Sequence, residues 1–106
     1  MLTEKDYCDY ETCVALEKVG FPLHPYGNTE IDKSLRLTLL LYEAQKWLRE
    51  EKNIIVYPEK NCFGWYYAIH YNVGEVHQLK FSDEYDSYED ALLEGIKEAV
   101  KILKEE

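Results

Sequence analysis

Residues 62–81 read CFGWYYAIHYNVGEVHQLKF, and the fold turns on how this stretch divides into strands. Aromatic and β-branched residues dominate it and Asn72-Val73-Gly74 interrupts it, so it reads as a hairpin with strands over 62–71 and 75–81. Side chains alternate across a strand. Phe63, Trp65, Tyr67, Ile69 and Tyr71 therefore share one face, and Cys62, Gly64, Tyr66, Ala68 and His70 the other. The connecting loop decides which face receives His77, Leu79 and Phe81. A two-residue turn at Val73-Gly74 sets them beside Tyr66 and His70, whereas a three-residue loop, Asn72-Val73-Gly74, sets them beside Trp65 and Ile69. The longer loop is the expectation, because it puts Gly74 where a left-handed residue is needed and gathers the apolar residues on one face. The expected core face is then Phe63, Trp65, Tyr67, Ile69, Tyr71, His77, Leu79 and Phe81. The expected open face is Cys62, Tyr66, Ala68, His70, Val76, Gln78 and Lys80.

Working outward, Ile54-Ile55-Val56-Tyr57 is a short β-branched strand that Pro58 is expected to end. Before it, Leu41, Ala44, Trp47 and Leu48 follow helical spacing with charged residues between them, which predicts a helix over about 39–52. Ser34 to Leu39 alternates apolar and polar residues, as an extended stretch or an early helical turn would. An N-terminal helix is predicted over about 10–19, capped by Asp9 and stopped by Gly20. A proline-containing loop, Phe21 to Asn28, follows. After the hairpin, Ser87 and Asp90 have the spacing of a capping box. They open a final helix over about 88–104 whose apolar stripe is Leu92, Ile96, Ala99, Val100 and Leu103. Gly95 interrupts that helix at a cost of about 1 kcal/mol relative to Ala, which points to close approach of another backbone or a bulky ring.

The order α-α-β-β-β-α predicts a two-layer α+β domain: a three-stranded antiparallel sheet with helices on one face. At 106 residues the chain is expected to form one domain, with an N-terminal helix and loop over 1–33 and an α-β-β-β-α core over 34–106. That core is similar in element order to double-stranded-RNA-binding domains. Those domains open their last helix with a basic cluster against phosphate, whereas here the equivalent residues are Asp83, Glu84, Asp86, Glu89 and Asp90. The likeness stops at topology.

Net charge is −9. It concentrates at the two ends of the chain, with −4 over residues 1–33, +1 over 34–80 and −6 over 81–106. Phosphate backbones repel such a chain, so no nucleic-acid partner is expected; an acidic decoy that imitates nucleic acid is compatible with it. No apolar run approaches the roughly 20 residues of a membrane span and no secretory leader is read, so the expectation is a cytoplasmic protein without membrane contact. Cys8, Cys13 and Cys62 form no CxxC and read as free thiols. With His70 and His77 expected on opposite faces and His24 in the proline-containing loop, no metal site is expected. No nucleophile signature or phosphate-binding glycine loop is present either, so neither a cofactor nor a catalytic residue is assigned.

Two surfaces remain as candidates. One is the half-polar open face, Tyr66, Ala68, His70, Val76 and Gln78, suited to homodimerisation or to an unknown protein partner; a ligand pocket around Tyr66 and His70 is the enzyme-class alternative. The other is the acidic run Asp83, Glu84, Asp86, Glu89 and Asp90. It favours the helix dipole when solvated, and as a functional patch would face a basic partner.

Two segments, Leu41-Tyr42-Glu43-Ala44-Gln45-Lys46-Trp47-Leu48-Arg49-Glu50 and Tyr85-Asp86-Ser87-Tyr88-Glu89-Asp90-Ala91-Leu92-Leu93-Glu94-Gly95-Ile96-Lys97-Glu98-Ala99, resemble a group of small uncharacterised proteins encoded by gut bacteria. These are frequently carried by prophages and other mobile elements. Tyr7-Cys8, Tyr10 and the Gly20-Phe21 step extend the likeness over most of the chain. The resemblance implies a mobile-element context and no particular chemistry. A fainter similarity links the last helix to the C-terminal part of HicB-type antitoxins. Together these readings lead to the expectation of a non-enzymatic protein-binding module, with the acidic decoy as the alternative.

Overall fold

The computed structural model describes residues 6–22 and 41–105. The elements are α1 (Tyr10–Lys18), α2 (Leu41–Lys52), β1 (Ile55–Asn61), β2 (Gly64–Val73), β3 (Val76–Phe81) and α3 (Tyr88–Lys104). They form the expected α-α-β-β-β-α arrangement around an antiparallel sheet of order β1-β2-β3. The expectations for Leu23 to Asn28, for His24 and for Ser34 to Leu39 lie outside the described residues.

The hairpin departs from expectation. Val73 pairs with Val76, so the connection is a two-residue turn, Gly74-Glu75, and not the three-residue loop. Gly74 takes φ +63° while Glu75 stays at negative φ. That pattern belongs to a type II′ turn, which takes glycine at its first central position and matches the twist of the flanking strands. The consequence is a change of parity along all of β3. His70 pairs with Leu79, Ala68 with Phe81 and Asn72 with His77, so His77, Leu79 and Phe81 share the face of Tyr66, Ala68 and His70. Val76, Gln78 and Lys80 move to the helix side. β3 misled because it borders the covered sheet. α3 packs across β1 and β2 and meets β3 through the Lys80–Glu98 ion pair (2.5 Å). Five of the six β3 residues are exposed, so neither parity of this strand is a core parity.

β2 behaves as expected because it is central. Ile69 is buried, and Trp65, Tyr67 and Tyr71 are half-buried on the helix side. Phe63, expected in the core, lies in the β1–β2 turn and is 82% exposed; Cys62 is exposed in the same turn. β1 does not end at Pro58 but continues to Asn61. The reason is local. Tyr67, the register partner of Pro58, turns both backbone groups the other way: its N–H donates to Ser82 Oγ (2.9 Å) and its carbonyl accepts from Ser82 N–H (3.1 Å). No N–H is required of Pro58, which sits on an edge strand where proline is tolerated.

The helices close the other layer. Leu16, Leu41, Ala44, Leu48, Ile96 and Val100 pack with Val56 and Ile69 in one buried cluster. Gly95 meets the sheet directly: a Cβ there would stand 2.7 Å from Val56 Cγ1 and 3.1 Å from Tyr67 Cβ, the close approach read from its position. Both expected caps are present. The Asp9 carboxylate accepts from Thr12 N–H (2.8 Å) and Ser87 Oγ from Asp90 N–H (3.1 Å). The edge formed by β1 is joined to α2, where the Gln45 amide donates to the Val56 carbonyl (2.7 Å).

Candidate functional site

The register sets the rows of the open face. Ile55, His70 and Leu79 lie in line across the three strands, and Tyr57, Ala68 and Phe81 form the next row, followed by Glu59 beside Tyr66. Three apolar side chains stand out of this surface: Ile55 is 40%, Leu79 47% and Phe81 58% exposed. Phe81 meets the Tyr66 ring edge-on at 6.0 Å. Ala68, flanked by Tyr57 and Phe81, is fully buried despite facing away from the helices. The surface is thus apolar along its β3 side and aromatic at its centre.

A polar chain crosses it. The Tyr57 hydroxyl lies 3.1 Å from His70 Nε2, with the two rings stacked at 5.7 Å. His70 Nδ1 lies 3.1 Å from His77 Nε2, ring centroids 5.2 Å apart. Sequence reasoning separated these histidines, and the turn brings them together. His77 sits opposite Asn72, one step diagonally from His70, within reach of long side chains. The signal for this was present: Gly74 followed by Glu75 is the Gly-x pair of a type II′ turn.

Glu59 anchors the other end of the face. Tyr66 Oη donates to its carboxylate (2.7 Å). That bond, which a phenolate could not make, holds the Tyr66 hydroxyl above the ordinary phenol range. The Tyr57 hydroxyl is also raised, by burial and then by the Glu59 charge. Both phenols are neutral hydrogen-bonding groups at neutral pH.

Of the five residues expected on this face, Tyr66, Ala68 and His70 are there; Val76 and Gln78 are on the helix side, displaced by the register. Ile55, Tyr57, Leu79 and Phe81 take part in their place. The acidic run is arranged around the β3–α3 connection. Asp83, Glu84 and Asp86 are exposed, while Glu89 and Asp90 are half-buried in the first turn of α3. Glu84 accepts from the Asn61 amide (3.2 Å). A cleft of about 390 Å³ there is lined by Glu84, Tyr85, Asp86, Asp90, Leu93 and Glu94.

Among the described residues, no helix is long and apolar enough to cross a membrane, and no three metal-ligating side chains converge. Comparison of the chain with protein-family models, with curated proteins and with solved structures finds no match.

Proposed function

We propose that this chain is a non-catalytic protein-binding module that pairs with a second copy of itself through the open face of its sheet. The observation that carries the reading is the pair of rows Ile55–His70–Leu79 and Tyr57–Ala68–Phe81, in which exposed apolar side chains flank an aromatic centre. Apolar surface of this kind is stabilised by removal from water, and its contiguous exposure marks interaction surfaces. The cytoplasmic setting expected from the sequence and the mobile-element setting implied by the resemblance belong to the same proposal.

Sedimentation velocity at tens of micromolar tests it. The expected result is a dimer for the native chain and a monomer for Phe81→Glu and for Leu79→Lys, which place a charge on the face without entering the core. A native chain that sediments as a monomer overturns the reading. Neutralising the acidic run with Asp83→Asn, Glu84→Gln and Asp86→Asn leaves self-association intact, because those residues lie off the face. Had the chain been an acidic decoy, this triple variant would be the one that loses its partner.

A further inference from the structure

We propose that His70 and His77 form a two-nitrogen chelate for a divalent transition metal of the Zn²⁺, Ni²⁺ and Cu²⁺ class. The ligating atoms are Nδ1 of His70 and Nε2 of His77, 3.1 Å apart. Two nitrogens bound tetrahedrally at 2.0–2.1 Å from zinc are separated by about 3.3 Å. The pair therefore opens by a few tenths of an ångström while the rings turn until both lone pairs, which meet nitrogen to nitrogen in the hydrogen bond, point at one ion. Imidazole is the ligand these metals favour. In the contact between the rings one nitrogen donates its proton and the other accepts it. A metal ion takes the place of that proton.

The far side of His70 is already occupied as in bound sites. Its Nε2 meets the Tyr57 hydroxyl at 3.1 Å, and Tyr57 stacks on the ring. A partner on the second ring nitrogen fixes the tautomer and the orientation of a ligating histidine. The backbone supplies the remaining rigidity, because the two histidines stand on adjacent paired strands, His70 three residues before Val73 of the turn's closing pair and His77 directly after Val76. His77 is exposed and His70 half-buried, so the remaining coordination positions are open to water. Both ligands come from one chain and lie on the face proposed to pair two copies, so the remaining positions are water-filled in the monomer and covered in the dimer.

The test is competition of the full-length chain with a chromophoric zinc indicator, using Zn²⁺ alone as the probe. Cys62→Ser serves as background, because Cys62 is the exposed thiol among the described residues. One Zn²⁺ per chain is expected, bound more tightly as pH rises because metal replaces a proton. His77→Gln and His70→Gln are each expected to weaken binding by at least about tenfold, the loss typical even of an outer-shell partner. Far-UV circular dichroism confirms that both variants are folded. No binding by the background chain overturns the proposal, as does equal affinity in the background chain and in His77→Gln. His24 is retained in every variant, so binding that arises there survives both substitutions and is recognised as a failure of the proposal.

Discussion

Asp9 ties two helices together through one carboxylate. It caps α1 through Thr12 N–H and pairs with Lys97 of α3 at 3.2 Å. Burial opposes its charge, but the bonding from Thr12 and the Lys97 ammonium outweigh burial and hold its pKa below the ordinary carboxylate value. A depressed folded-state pKa means that the stabilisation is present above the unfolded value of about 3.9 and is lost as pH falls through the folded one. Asp9→Asn keeps a good cap and removes the charge, so it reads together the charged bonds of the carboxylate to Thr12 and Lys97. The ion pair is half exposed, so the expected loss at pH 7 is at most about 1 kcal/mol. The difference from the native chain disappears once the pH is below the folded value. Urea midpoints at pH 7 and below that value check this, and a difference that persists in acid would mean that the charge was not responsible. Asp9→Ala removes the cap as well and costs about 1 kcal/mol more.

Between elements, the tightest constraint is the seat of α3 on the sheet at Gly95. Alanine there would improve helix propensity by about 1 kcal/mol. Its Cβ, however, would fall within 2.7 Å of Val56 Cγ1 and press on Tyr67. Overpacking of this kind costs about 1–3 kcal/mol, so Gly95→Ala is expected to destabilise the protein, read as a lower urea midpoint at unchanged slope. The position of Gly95 was legible because a glycine inside an otherwise regular stripe has few other reasons to be there. Ser87 and Asp9 were legible as caps for similar reasons, since their chemistry is local. The alternation in β2 was also legible, because helices cover one of its faces and make hydrophobic parity meaningful. In β3 the same rule failed. Val76, Gln78 and Lys80 face the helix layer where that layer thins out, so the three residues gain little burial and the turn alone sets the register. The open face was therefore half correct: Tyr66 and His70 could be read from β2, but Leu79 and Phe81 depended on a turn that hydrophobic pattern could not arbitrate. Pro58 was misread because its tolerance depends on which way Tyr67 turns its backbone, a fact of pairing and not of propensity.

For the molecule as a whole, the charge of −9 opposes any association between two copies. Salt screens that repulsion, with a Debye length of about 10 Å at 0.1 M. Dimerisation through the apolar face is therefore expected to strengthen as sodium chloride rises from about 0.05 to 0.5 M, measured by sedimentation equilibrium. Binding of the acidic run to a basic partner would weaken over the same range. The sign of the salt dependence thus separates the two modes of recognition without any substitution. Weakening of self-association with salt would place the contact among the carboxylates and away from Leu79 and Phe81.

The proline in β1 also limits how many copies can join edge to edge. Pro58 leaves a gap in the outward row of donors, and the neighbouring Val56 carbonyl is taken by Gln45, so this side of the sheet offers a poor template for another strand. β3 has no such stop. Open-ended growth by edge pairing needs both edges of the sheet, so a blocked β1 edge is enough to prevent it and leaves association to the open face. The sequence thus carries a terminator against open-ended polymerisation in the residue that first looked like the end of a strand.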